Sequence, residues 1–451
     1  MRRTHRLGHR EDGEVTTTPV PELGPAKELR LPDTAEHTLT NGLTVIVVRR
    51  SSVPLVELRL RVPFGKAHLA RSSVLAQSLF SGTETMSAVD LAAALQKLGG
   101  ALSASVDPDR LLVSGNALAP ELPRMLGLLG EVLTGAAYPA KEVATERERL
   151  ADRIRVALTQ PSHLARVALL KRVYGRHPYA VQTPEPEQVL AVRPGALKEL
   201  HSERIHPAGA ILVLVGDLDP DRTLELAEQV IAGWDGGGRT VELAAVPALE
   251  PGPLRLVHRD GSVQSSLRMA FPAVPRSHPD HAALQLANLV FGGYFSSRWV
   301  ENIREDKGYT YSPHSQIEHS AAGTTLVLSA DVSTEVTVPS LLETWYELGR
   351  IASLPVTGEE LEQARQYALG TLQLGVATQA GLAGLASSLA GFGLRLDWLA
   401  EHRARLLEAT DADVFAVAGR YLAPARGVTV VVADAEQVEA PLGVLGAVER
   451  A

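Results

Sequence analysis

The feature that most constrains this chain is that it repeats itself. Leu75-Ala76-Gln77-Ser78-Leu79-Phe80-Ser81-Gly82 resembles Leu286-Ala287-Asn288-Leu289-Val290-Phe291-Gly292-Gly293, 211 positions later. Pro207-Ala208-Gly209-Ala210-Ile211-Leu212-Val213-Leu214-Val215-Gly216-Asp217 resembles Pro424 through Asp434, 217 positions later. Either match alone could be chance in a chain rich in Leu, Ala, Val and Gly. Two similar offsets in the same order argue for a duplicated domain, and 451 residues hold two copies. Asp235-Gly236-Gly237-Gly238-Arg239 and the stretch from Pro247 to Pro253 are rich in turn formers and read as the linker between the copies.

Within the first copy the hydrophobic period switches between two and 3.6. Asn41-Gly42 is a turn signal leading into the strand Leu43-Thr44-Val45-Ile46-Val47-Val48. Leu55 to Val62 alternates apolar and polar residues, as does a strand with one buried face. Ser87-Ala88-Val89-Asp90 is a capping box for a helix carrying Leu91, Leu95 and Leu98, stopped by Gly99-Gly100. Strands 101–106 and 111–117 flank the turn Asp107-Pro108-Asp109, and helical patterns follow over 120–133 and 140–158. A β-β-α-α-β-β-α-α order predicts an α+β fold with mostly antiparallel sheets and packed helices, not a parallel βαβ array. The expected divisions are a flexible tail over 1–35, a first domain over 36–235, a linker over 236–253 and a second domain over 254–440.

Several chemistries are excluded at once. Net charge is −8, against a nucleic-acid partner held by phosphate contacts. There is no Cys, hence no disulfide, thiolate zinc, iron–sulfur cluster or Cys nucleophile. The longest apolar runs are too short for a membrane span. The N-terminus lacks an apolar stretch before His9-Arg10-Glu11-Asp12, which reads as a cytoplasmic protein. No Gly-x-Ser-x-Gly, Walker loop or strand-linked Gly-x-Gly-x-x-Gly occurs. The 14 His include no His-x-x-Glu-His or His-Glu-x-x-His. His201 and His206, like His314 and His319, are five apart, and Asp280 in His278-Pro279-Asp280-His281 reads as a helix N-cap, so these pairs read as surface or turn histidines.

One segment stands apart from ordinary packing. Residues 291–312 are dense in Gly, aromatic and charged side chains; they end a helical pattern (Val300, Ile303) and enter a strand expected at Tyr309 to Ser312. Arg304 and Tyr311 are hydrogen donors of the kind that stabilise a developing oxyanion. Chemistry alone leaves a second reading open, a helix–strand junction with a solvated Arg and a half-buried Tyr.

At this segment the sequence resembles the pitrilysin/insulysin-type zinc peptidases, in the branch that includes mitochondrial processing peptidase and paired bacterial subunits. The pattern Gly-Gly-x-x-x-Ser-Arg…Ile-Arg-Glu-x-x-Gly-x-x-Tyr reads here as Gly292-Gly293, Ser297-Arg298, Ile303-Arg304-Glu305, Gly308 and Tyr311. Asn41-Gly42-Leu43, Ser81-Gly82-Thr83 and His177-Pro178-Tyr179 fit as well, and the resemblance covers about residues 35–440. It implies two sheet-and-helix domains forming a clam-like half-chamber.

The departure from the family pattern matters as much. The inverted zinc motif His-x-x-Glu-His would fall on Ser73-Val74-Leu75-Ala76-Gln77, so Ser73 and Gln77 stand at the ligand positions and Ala76 at the general base. The third ligand would fall near Arg153, where a cation repels a metal, and neighbouring Asp152 is rotated about 100° away. The resemblance therefore implies no metal in this chain. It implies instead the subunit type that contributes Arg304 and Tyr311 to a homologous zinc-bearing partner in a heterodimeric metalloendopeptidase, with a peptide substrate added to a sheet edge. The rival reading is an inactive scaffold or peptide-binding pseudopeptidase, similar to core subunits of the respiratory chain. A third, an autonomous hydrolase, requires zinc in this chain. Nothing in the sequence names the peptide.

Overall fold

Ile211-Leu212-Val213-Leu214-Val215 and Val428-Thr429-Val430-Val431-Val432 are apolar nearly without interruption. Such runs suit strands buried on both faces, and each lies inside a six-stranded sheet. The computed structural model describes residues 29–236, 241 and 243–451, and residues 31–451 form one compact unit. Most of the expected tail, together with Gly237, Gly238 and Arg239 of the expected linker, lies outside the described residues.

The first sheet holds β1 (Thr34–Thr38), β2 (Thr44–Arg49), β3 (Leu55–Pro63), β4 (Ala101–Val106), β5 (Arg110–Leu118) and β6 (Ile211–Gly216), in the order β1-β2-β6-β3-β5-β4. The second holds β7 (Leu254–His258), β8 (Gln264–Pro272), β9 (His314–Ser320), β10 (Gly323–Ser333), β11 (Val428–Ala433) and β12 (Val448–Arg450), in the order β12-β7-β11-β8-β10-β9. Five strands correspond one to one, with the same single parallel pair (β2 with β6, β7 with β11) and antiparallel pairing beyond it. The sixth differs: β1 pairs antiparallel to β2, whereas β12 pairs parallel to β7. Neither sheet closes, and the fold is α+β as the element pattern predicts.

Duplication extends to single side chains. Arg59 faces Ser114 and Val213, and Arg268 faces Ser329 and Val430, the equivalent partners. Arg59 Nη1 donates to the Leu58 and Gly115 carbonyls; Arg268 Nη1 donates to those of Leu267 and Ala330. Each guanidinium satisfies carbonyls on its own and the adjacent strand, which makes burial tolerable.

One face of each sheet packs on helices of its own half. The other face is covered by a helix from the opposite half. Helix Pro161–Tyr174 sets Leu169, Leu170 and Val173 on Ala270, Val428 and Val430 of the second sheet. Helix Gln379–Ala390 sets Leu382, Ala383 and Ala386 on Val48, Val213 and Val215 of the first. Polar bonds pin both. Arg166 makes a bidentate pair with Glu318 at 2.9 and 2.6 Å, and Gln379 Nε2 donates to the carbonyls of Arg50, Val53 and Leu55. The stretch joining the halves is also tied to both: His177 Nε2 contacts the Ala244 carbonyl at 2.9 Å, and the Val246 N–H donates to Ala322 O at 3.2 Å. Among the described residues no helix is long and apolar enough to cross a membrane.

Candidate functional site

The segment carrying Arg304 and Tyr311 is built on two π-helical turns, a geometry frequent at functional sites. Helix His281–Asn288 widens into a π-turn over Leu289–Gly293; the short helix Arg298–Val300 widens into another over Glu301–Asp306. Buried Phe291 and Trp299 stack at 5.4 Å, and Trp299 Nε1 donates to Thr344 Oγ1 at 3.0 Å. Arg298 forks onto Glu360 at 2.6 and 2.7 Å. Burial alone would raise the Glu360 carboxyl, but Arg298 and the Thr357 N–H hold it down at about 2. Arg298 is thus the anchor of this segment. Arg304, six residues on, has no such buried anchor.

Arg304 lies on the second π-turn, ended by Gly308 at φ +66°, a left-handed conformation suited to glycine. Its guanidinium carbon is 4.3 Å from the Phe295 ring centroid and 5.0 Å from that of Tyr311, so it is clasped between two rings. Its Nε sits 3.3 Å from Glu305 Oε1. Tyr311 is 81% exposed, well beyond the half-buried Tyr of the junction reading. Arg304 and Tyr311 form a wall shared by two open concavities, of about 280 Å³ beside Phe295, Val300 and Pro313 and about 700 Å³ beside Gln264, Gly308 and Asp331. The expected strand at Tyr309–Ser312 is not formed. Thr310 makes one isolated bridge to Val332, and β9 begins at His314, after Pro313, which has no N–H to donate to a ladder. Phe295 escaped the sequence reading; nothing in its local pattern separates a clasping ring from a packing one.

In the first half, Ser73, Ala76 and Gln77 lie on helix Leu69–Ser78, and Arg153 on helix Ala140–Leu158. Arg153 Nη2 donates to Gln77 Oε1 at 2.9 Å. Ser73, one turn earlier, makes no hydrogen bond to either, and Ala76 is buried. An alcohol, an amide whose oxygen is occupied and a guanidinium do not suit a zinc ion. No hydrogen bond or ring contact among the described residues joins this group to Arg304 or Tyr311.

The histidines divide by environment. His201 contacts Tyr138 Oη and the Leu133 carbonyl, both at 2.8 Å, and burial lowers its pKa; it is structural. Asp280 occupies an N-cap position but makes no cap bond, because its carboxylate is drawn to Arg420 and to the Tyr421 hydroxyl. His281, His319 and His402, far apart in sequence, gather in space: the His281 ring lies 5.2 Å from each of the other two, and His402 stacks on Trp398. Burial, with Arg276 nearby, pushes their pKa values down to about 2, 3 and 4 respectively. Among the described residues, the His, Asp or Glu side chains whose ligand atoms fall within 4.8 Å of one another are His258, Asp260 and Asp434. There, His258 Nδ1 already accepts the Ala435 N–H and Asp434 caps helix Ala435–Gly443.

Comparison with known proteins bears on the family and the fold. Residues 65–187 match the family model described as insulinase (peptidase family M16), and residues 191–367 match the peptidase M16 inactive domain. The uncharacterized zinc protease YmxG of Bacillus subtilis is 23% identical over 75% of this chain and 83% of its own length. Subunit 1 of the bovine mitochondrial cytochrome b-c1 complex is 24% identical over 58% of this chain and 56% of its own. Among solved structures, an M16 inactive domain from Pseudomonas fluorescens superposes with a TM-score of 0.82 at 22% identity, over 89% of this chain and 98% of that one. A protease from Helicobacter pylori gives 0.81 at 18%, over 89% and 100%.

Proposed function

This chain belongs to the peptidase M16 (insulinase) family, and from that premise we propose that it is a zinc-free, non-autonomous subunit of a heterodimeric metalloendopeptidase. The observation that carries the reading is a contrast. At the ligand positions of the first half Gln77 is tied to Arg153 by a hydrogen bond, while the second half keeps Arg304 and Tyr311 together, with Tyr311 open to solvent.

In this reading the water-activating metal is held by a homologous partner chain. Arg304 and Tyr311 donate to the scissile carbonyl oxygen and stabilise the negative charge that develops on it. The peptide lies extended along a free sheet edge, β4 or β9, where main-chain hydrogen bonds tolerate many sequences. One such donor is worth about 3 kcal/mol, so Arg304→Ala and Tyr311→Phe should each slow the mixed enzyme by roughly a hundredfold or more without breaking the complex. Unchanged turnover in both variants would sink the proposal.

A second reading is a scaffold or peptide-binding pseudopeptidase. It draws support from the likeness to the b-c1 subunit and from the Arg304 guanidinium being clasped by Phe295 and paired with Glu305. It predicts no hydrolysis with any zinc-bearing partner. Metal content and peptide hydrolysis of this chain, alone and mixed with such a partner, separate the two.

A further inference from the structure

The duplication provides an internal control for buried side chains, and a buried charge in the first half has no counterpart in the second. Arg61 on β3 faces Leu112 and Ile211; its equivalent on β8, facing Val327 and Val428, is Ala270. Ala270 needs no partner under helix Pro161–Tyr174. Arg61 is 8% exposed, and among the described residues its Nη1 has no hydrogen-bond partner. Arg59, two residues earlier, already bonds the strand backbone and Glu57 through its Nη1.

Room is made for this guanidinium. A Cβ on Gly391, just past helix Gln379–Ala390, would come within 2.1 Å of Arg61 Cζ. Gly391 is in ordinary right-handed geometry, so it serves close approach and not a turn. Nearby carboxylates are occupied. Asp109 accepts from the Tyr179 hydroxyl and the Ala321 N–H, and Asp107 accepts from the Asp109 and Arg110 N–H groups and pairs with Arg110. Arg61 lines a cavity of about 470 Å³ between the two halves, with Arg110 and the already bonded Asp109 beside it and Pro63, Ile211 and Leu243 as apolar wall.

Among the described residues no ion pair balances this buried guanidinium, which is costly, and a planar fork of N–H donors suits a carboxylate in particular. We infer that the cavity between the halves is a carboxylate-binding subsite in which Arg61 receives the free C-terminal carboxylate of a peptide and the apolar wall takes its last side chain. The anion site stands on Arg61 and its cavity; assigning the carboxylate to a peptide rests on the peptidase-subunit reading.

The test is calorimetric titration of the full chain, without partner, with Ac-Ala-Ala-Leu as its free acid and as its amide, and with N-acetyl-leucine. The free acid should bind about tenfold or more tighter than the amide, as for a charge-assisted bond. Arg61→Gln should bring it to the level of the amide, while Arg124→Ala on the surface leaves it unchanged. Equal binding of acid and amide by the unaltered chain overturns the site, and that comparison holds even if Arg61→Gln does not fold. N-acetyl-leucine binding as tightly as the tripeptide overturns the peptide assignment. Mixed-enzyme turnover reads the other proposal separately: discrimination without turnover spares this site, and Arg304-dependent turnover without discrimination removes it alone.

Discussion

Leu75–Gly82 and Leu286–Gly293 are copies of one segment put to different uses. In the first half the helix ends at Ser78 and its Gln77 is tied to Arg153. In the second, the same stretch widens into a π-turn whose continuation lifts Arg304 beside the exposed Tyr311. The frames agree in five of their six strands, yet the two copies of this segment differ in what surrounds them. A fold held by its sheets leaves the helix–strand junctions free to diverge, and the chemistry follows the junctions.

The sharpest way to break this comparison is at the anchor of the open copy. Arg298→Ala leaves Glu360 half-buried and unpaired, and should cost about 3–5 kcal/mol, whereas Arg153→Ala, on an exposed pair, should fall within about 0.5 kcal/mol; thermal unfolding of both variants reads the difference. Next come the exchanged helices. Leu382→Ala and Leu169→Ala each empty a buried site under the sheet of the opposite half and should each cost about 2–5 kcal/mol. Melting temperatures falling by unlike amounts would show that the exchange is lopsided.

Acid should expose another asymmetry. His281, His319 and His402 are held neutral by burial, facing Arg276 and Arg405. Their folded pKa values lie below the ordinary 6.5, so their contribution to stability is complete above that pH and is lost as pH falls toward 4. The melting temperature should drop between pH 6.5 and 4, and His281→Gln should flatten that drop. The last test reopens the closed copy itself. Ser73→His, Ala76→Glu, Gln77→His and Arg153→Glu together should let this chain take up zinc, measured by equilibrium dialysis, at a cost in stability set by the carboxylate placed at buried Ala76.

What could be read in advance follows the physics of periodicity. The alternation of Leu55–Val62, the Ser87 cap and the paired offsets fixed strands, helix and duplication, because burial imposes period two or 3.6 on a sequence. The π-turns leave no such trace: an extra residue in a turn changes no pattern that a linear reading registers. The helix exchange was hidden too, since Gly381-Leu382-Ala383-Gly384-Leu385-Ala386 shows that a face is apolar and not which sheet it covers. At the site, Arg304 and Tyr311 were legible through resemblance; Phe295, Arg61 and the gathering of three histidines required the third dimension.

The exchanged helices also set a schedule. On the ribosome the first sheet is complete once Gly216 has emerged, but the helix that covers its outer face ends at Ala390, about 170 residues later. At about 5–20 residues per second that is a wait of roughly 10–35 s. Throughout it, the face made by Val48, Val213 and Val215 lacks the helix that buries it in the finished chain.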